Sequence, residues 1–260
     1  MKLESIGIIV GMRPFGERDA VAHIFTRDYG VMTGMMKGAQ VAKKNKPLTG
    51  QVGLVSWNAR LDSQLGVFHW ETEKNLAAPL MANAQALGMM NSAFALLITL
   101  LPEREKYEAL WGQTKYLLEN LLCSSRKGVA SPPYWGGVRP KGGRGGSLYS
   151  SEPPLSQAAP DCPSPAGGAQ ECYLEWEINL LKELGYALDL TRCSGCGKAE
   201  ELTHLSPRTA RAVCSECAAP YLDKLFELPV DLNITKKFLE KILTEQGGKS
   251  LPQTRNLLTV

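Results

Sequence analysis

At 260 residues and 44% hydrophobic content, the chain can bury one large or two small packed domains, which excludes a disordered or fibrous protein. Its formal net charge of +3 excludes a uniformly basic or acidic molecule, so the distribution of charge says more about partners than the sum does.

The opening stretch "MKLESIGIIVGMRPF" carries Glu4 and breaks at Gly11, Arg13 and Pro14 without the long apolar core of an export signal, so a cytoplasmic protein is expected. Up to about residue 75, "SIGIIVGM", "AVAHIFTRDYG", "VMTGMMKGAQ", "GLVSWNARL" and "LGVFHWETE" recur with Gly, Asp or Pro between them. Five short strands at this spacing predict a small barrel. Residues 1–47 hold eight Lys/Arg against four Asp/Glu, and "KGAQVAKKNKP" concentrates four of those lysines. At a Gly-punctuated loop beside a strand they suit phosphate binding through counterion release, although a solubilising loop has the same composition. An exposed Phe15, Phe68 or Trp70 nearby would supply a stacking platform for single strands.

Leu76 to Pro102 contains no charged residue and has the length of a membrane span. Pro79, Asn83, Gln85, Gly88, Asn91 and Ser92 interrupt it, so buried helices are the expectation and a membrane-associated protein the alternative. Helical spacing continues through "EREKYEALWGQTKYLLENLL", with Tyr107, Leu110, Tyr116 to Leu118, Leu121 and Leu122 on one face. Residues 123–170 are dense in Pro, Gly and Ser and lack apolar periodicity, which predicts a flexible insertion between two helices. In it, "RPKGGRGG" resembles arginine-glycine segments that cling to nucleic acid, though a functionless surface insertion reads the same way. A helix then resumes with Leu174, Ile178, Leu181 and Leu184 as its stripe and Gly185 as its cap. Near the end, Ile234, Phe238, Leu239 and Ile242 share a face, with Asn233 as a candidate N-cap.

Within residues 191–220, Cys193 and Cys196 are separated by two residues, as are Cys214 and Cys217, with seventeen residues between the pairs. This is the spacing of a four-thiolate zinc site: each short gap lets two sulfurs of one turn reach the same ion, and two such turns complete a tetrahedron. Gly195 and Gly197 are expected to supply the backbone freedom of the first turn. With no open coordination position, the site would brace the fold rather than catalyse. Disulfides or a thioredoxin-like pair fit poorly with a reducing compartment and the absence of a βαβ context. His204 reads as an ordinary strand or loop residue, and Cys123, Cys162 and Cys172 as free thiols.

No phosphate-binding loop, dinucleotide fingerprint, nucleophile elbow or H-E-x-x-H motif is present, and the three histidines, His23, His69 and His204, lie far apart in sequence. Glu17 and Asp19 could share a strand face as an acid/base or metal pair, but Arg13 and Arg18 beside them predict ion pairing.

The order of "GERDAVAHIFTRDYG", "KGA", "WNARLDSQLG", a helical middle, "LLKELGYALDLTRCSGCG", a second Cys-x-x-Cys and "LPQTRNLL" resembles the bacterial RecO family of recombination mediators. The resemblance implies an α+β protein: an N-terminal five-stranded OB-fold over residues 1–76, then a helical domain over 77–260 with a structural Zn2+ site. It further implies a non-catalytic protein that binds single- and double-stranded DNA and anneals strands. With RecR, such a protein helps load RecA onto DNA coated by single-strand-binding protein. By the same resemblance, the DNA contacts would be Arg13, Arg18, Lys37, Lys43, Lys44 and Lys46, with Lys37 in the matching motif and Gln40 standing where the family often has arginine. A zinc-stabilised enzyme acting on nucleic acid, through Glu17 or Asp19, is the other reading.

Overall fold

A computed structural model describes residues 2–42, 46–59, 65–127 and 168–259. Five strands, β1 (Lys2–Phe15), β2 (Asp19–Thr26), β3 (Gly30–Met36), β4 (Gln51–Asn58) and β5 (Gly66–Asn75), form a closed barrel in the order β1-β2-β3-β5-β4. All neighbours are antiparallel except β3 and β5, which run parallel through Gly34–Gly66, Met35–Val67 and Met36–Phe68. This is OB-fold topology. The long β1 serves both sides of the closure, pairing with β4 and β2, and an irregularity between Ile9 and Gly11 lets it bend.

Ile8, Ile9 and Val10 are all buried because β1 has two apolar environments. Ile9, with Ile24, Met32, Val55, Trp57 and Phe68, fills the barrel, whereas Ile8 and Val10, with Phe25 and Val31, join the core of the helices. Phe68 therefore belongs to the interior and cannot act as a stacking platform.

Leu76 to Pro102 divides into α1 (Ala77–Leu80) and α2 (Ala84–Leu100), separated by Asn83, whose side chain accepts from the Ala86 amide and caps α2. Among the described residues no helix is long and apolar enough to cross a membrane. After α2 the chain crosses the barrel wall, where Glu103 bridges Val31 and the Arg104 amide donates to the Val31 carbonyl at 2.9 Å. Gly30 permits this crossing: a Cβ there would stand 1.8 Å from the Glu105 carbonyl oxygen.

The helix α3 (Glu108–Lys127) extends into the segment expected to be flexible, and α4 (Gly168–Glu183) begins before its expected end. Ser125 looked like part of a polar linker but is buried, its hydroxyl satisfied by the Leu121 carbonyl. The remainder of that insertion, with "RPKGGRGG" and Cys162, lies outside the described residues. Cys123, expected as a free thiol, is disulfide-bonded. Cys172 is a free, buried thiol, pushed up to about 11 by burial.

On α4 the buried stripe is Tyr173, Trp176, Glu177, Leu180 and Leu181; of the expected line Leu174, Ile178, Leu181 and Leu184, Leu181 is fully buried, while Leu174 and Leu184 pack half-buried at the edge of the core. The aromatic rings turn inward because their polar ends find partners: Tyr173 shares a hydrogen bond with Ser92 at 2.7 Å, and Trp176 donates to Thr114 at 3.0 Å. A Schellman turn ends the helix, with Gly185 N–H donating to Lys182 and Tyr186 N–H to Leu181. In α6 (Leu232–Glu245) the apolar face is as expected, but the cap is Asp231, which accepts from the Ile234 amide at 2.8 Å. The last helical turn, α7 (Gln253–Asn256), inserts the fully buried Arg255 against Glu177.

Candidate nucleic-acid interface and metal centre

Two parts of the barrel meet at one end. The β1–β2 turn carries Arg13 and Arg18 on its flanks, and the β3–β4 connection carries Lys37 and Lys46. Backbone and amide groups tie them: the Gly38 amide donates to Asp19 Oδ1 at 2.8 Å, and the Gln40 amide donates to the Arg18 carbonyl at 3.0 Å. The Gln40 side chain donates to the carbonyls of Asp19 at 2.5 Å and Gly16 at 3.1 Å. Gln40 thus fastens the loop to the hairpin. This also corrects the ion-pair reading of Asp19, whose carboxylate is committed to a backbone amide; Glu17 stays exposed on the turn, outside any ion pair among the described residues.

Arg13, Arg18, Lys37 and Lys46 are all exposed, and none has an ion-pair partner among the described residues. Arg13 and Lys46 line one groove of about 200 Å³; Lys37 lines another of about 260 Å³ with His69 and Trp70. Ala39 and Pro47 belong to both, so the grooves adjoin across the tethered loop. Trp70 is half-buried, its indole N–H held by Thr72 Oγ1 at 2.9 Å, and Phe15 is 54% exposed at the end of β1. Lys43 and Lys44 lie outside the described residues.

The cysteine segment forms a unit of its own. A small antiparallel sheet, β7-β6-β8, is built from β6 (Leu202–Leu205), β7 (Ala212–Cys214) and β8 (Phe226–Glu227). Cys214 ends β7, and the short α5 (Ser215–Ala218) that follows carries Cys217. The first knuckle is closed by Cys193 N–H donating to Lys198 at 2.7 Å and Gly197 N–H to Cys193 at 3.0 Å, and Ser194 N–H donating to Ala212 at 2.9 Å joins it to the sheet.

All four sulfurs lie within 4.8 Å of one another, Cys196 and Cys214 being 3.6 Å apart. A tetrahedral zinc with bonds of about 2.3 Å requires sulfurs about 3.8 Å apart, so the donor set fits that ion. The amides of Cys214 and Gly195 donate to Cys193 Sγ at 3.3 and 3.4 Å. The amide hydrogen bonds, led by that of Cys214, hold the Cys193 thiol down near 6. Only Gly197 is needed for its positive φ, 78°. Gly195 provides room instead, because a Cβ there would stand 3.0 Å from Cys217 Sγ. His204 sits on β6 with its Nδ1 at 2.8 Å from Thr203 Oγ1 and is not part of the cluster. Among the described residues this is the only such group of metal-binding side chains, and Glu17 and Asp19 form none.

The family models for recombination protein O match the chain in both halves, the N-terminal model over residues 1–71 and the C-terminal model over 165–253. The DNA repair protein RecO of Cereibacter sphaeroides (strain ATCC 17023) is 32% identical over 98% of this chain and 96% of its own length. The chain belongs to the RecO family. Similar RecO relatives named DNA repair proteins occur in Ruegeria sp. (strain TM1040), 29% identical over 96% of this chain and 93% of the relative, and in Jannaschia sp. (strain CCS1), 31% identical over 97% and 92%. The RecO resemblance of the motifs thus extends across nearly the whole chain, the long insertion included within the aligned span.

Sequence reasoning missed the buried Glu177–Arg255 pair, since a single acidic residue in a helix ordinarily reads as solvated. Its trace in the sequence is the single arginine of "LPQTRNLL", close to the C-terminal leucines.

Proposed function

We propose that this RecO-family chain is a non-catalytic recombination mediator that holds DNA on the basic end of its barrel. The observation carrying this reading is the convergence of Arg13, Arg18, Lys37 and Lys46, exposed and without ion-pair partners among the described residues, on one tethered loop and hairpin. Free cations of this kind gain affinity by displacing the counterions of phosphates, and Trp70 beside Lys37 offers a ring for unpaired bases. Single- and double-stranded DNA are both substrates on this reading, and juxtaposing two strands promotes annealing. The barrel of residues 1–76 binds DNA, and residues 77–260 supply surfaces for RecR and for single-strand-binding protein, through which RecA is loaded. The four cysteines hold one structural Zn2+, which when bound cross-links the two knuckles and supplies no reactive position.

The test is the fourfold variant Arg13→Ala, Arg18→Ala, Lys37→Ala, Lys46→Ala, titrated with labelled single- and double-stranded oligonucleotides at several salt concentrations. Each lost phosphate contact should reduce the slope of log affinity against log salt by about 0.7 to 0.9. An unchanged slope and affinity would remove this surface from the reading, and Lys43→Ala with Lys44→Ala would then be examined on the same footing. Cleavage or joining of the labelled strand by the wild-type protein would favour an enzyme instead.

A further inference from the structure

Beside the cysteine cluster lies a groove of about 490 Å³ that shares no lining residue with either barrel groove. Arg208, from the turn between β6 and β7, and Lys224, from the 3-10 helix over residues 219–224, both line it and are exposed. No acidic side chain lines the groove, and neither cation forms an ion pair among the described residues. Between them the chain contributes apolar surface from the buried Val213 and the half-buried Leu225. Tyr221 lines the same groove and is 56% exposed, an aromatic ring left in water by the fold.

Two free cations from different elements, an apolar lining and an exposed ring together match one ligand chemistry. A single-stranded nucleic acid presents a phosphodiester for the cations and a flat base for the ring. An acidic peptide would satisfy the charges but leaves the exposed ring without a specific role. We infer that this groove is a second site for single-stranded nucleic acid, with Arg208 and Lys224 on the phosphates and Tyr221 against a base. The inference goes beyond the barrel reading and does not depend on it. One molecule holding a strand on the barrel and another in this groove raises their effective concentration for each other, which is what pairing complementary strands requires. The knuckles then do more than brace the helices: they form one wall of a binding surface through Gly195 and Cys217.

The experiment uses the full chain carrying the four barrel substitutions, so that only the groove remains, and a fluorescein-labelled oligothymidine at low salt. Adding Arg208→Ala, Tyr221→Ala and Lys224→Ala should lower the residual affinity by about tenfold or more at unchanged metal content. If that variant loses metal, Tyr221→Ala alone is read in its place. In the wild-type protein, an oligonucleotide bearing 5-iodouracil should photocross-link to Tyr221 as well as to the barrel. Cross-links confined to the barrel, or residual affinity indifferent to the groove substitutions, would overturn the inference. So would a labelled peptide of Asp and Phe that binds this groove and is not displaced by the oligonucleotide. Failure of the barrel reading is distinguishable: there the fourfold variant binds like the wild type, and only the groove substitutions matter.

Discussion

Arg255 Nη2 donates to Glu177 Oε2 at 2.9 Å, while its Nε donates to Oε1, and both side chains are wholly buried. The same guanidinium reaches the Leu232 carbonyl at 2.6 Å and Thr235 Oγ1 at 3.2 Å, so one side chain of α7 joins α4 to α6. Glu177 is satisfied further by Thr235 and Tyr173, at 2.6 and 2.8 Å. Removing one partner strands a buried charge. Arg255→Met is therefore expected to cost about 3–5 kcal/mol in urea unfolding, and pairing it with Glu177→Gln should recover part of that loss. A single variant as stable as the wild type would show that water reaches the carboxylate.

Gly30 and Gly16 both adopt positive φ, 64° in each case, but only at Gly30 would an added Cβ meet another chain segment. Gly16→Ala should cost roughly 1–2 kcal/mol for the left-handed conformation alone. Gly30→Ala should cost a further 1–3 kcal/mol or so, because the new methyl meets the Glu105 carbonyl and the crossing must move. Equal denaturation midpoints for the two variants would mean that the crossing yields freely.

His23 on β2 shares a hydrogen bond with Thr33 Oγ1 at 2.9 Å, and Thr33 in turn donates to Glu103. Burial lowers its pKa from 6.5, Arg13 adds to the lowering, and Glu103 opposes it. At neutral pH the ring is mostly unprotonated in the unfolded chain and more completely so in the folded one. Below pH 6.5 the unfolded chain takes it up while the folded one resists, so stability falls with acidification until the folded pKa is passed. His23→Gln should flatten the decline in stability between about pH 7 and 5. A profile as steep as that of the wild type would place the acid sensitivity elsewhere.

Gly195→Ala tests the metal centre without deleting a sulfur. With Cβ at 3.0 Å from Cys217 Sγ and 3.3 Å from its Cβ, the methyl pushes the knuckles apart. The expected result is a bound-zinc content below that measured for the wild type and faster loss to a chelator, with urea resistance of the barrel retained. A variant indistinguishable in metal release would mean that the second knuckle moves with the first.

The barrel was legible because short apolar runs recur between turn residues that mark their ends, even though only some strands alternate in burial: β4 does, whereas β2 is buried at nearly every position. The clustering of the cysteines was legible because two Cys-x-x-Cys pairs seventeen residues apart have the spacing of a four-thiolate metal site. Legibility failed where a side chain's surroundings decide its role. Phe68 looks available for stacking, yet the parallel pairing of β5 with β3 turns it into the barrel. Asp231 caps α6 where Asn233 was expected, since a cap is chosen by the backbone's entry angle and either residue type serves. The inward stripe of α4 follows Tyr173 and Trp176, whose hydrogen-bond partners Ser92 and Thr114 come from other helices and leave no mark on the local pattern.

Because Ile8, Val10, Phe25 and Val31 look outward from the barrel into the helical core, the barrel is only half wrapped by its own residues. A truncated fragment ending near residue 75 would present these four side chains to water as a contiguous greasy face, and its self-association would mimic or mask DNA binding. Assigning activities by dissection would therefore mislead here, and point substitutions in the intact chain are the sounder instrument.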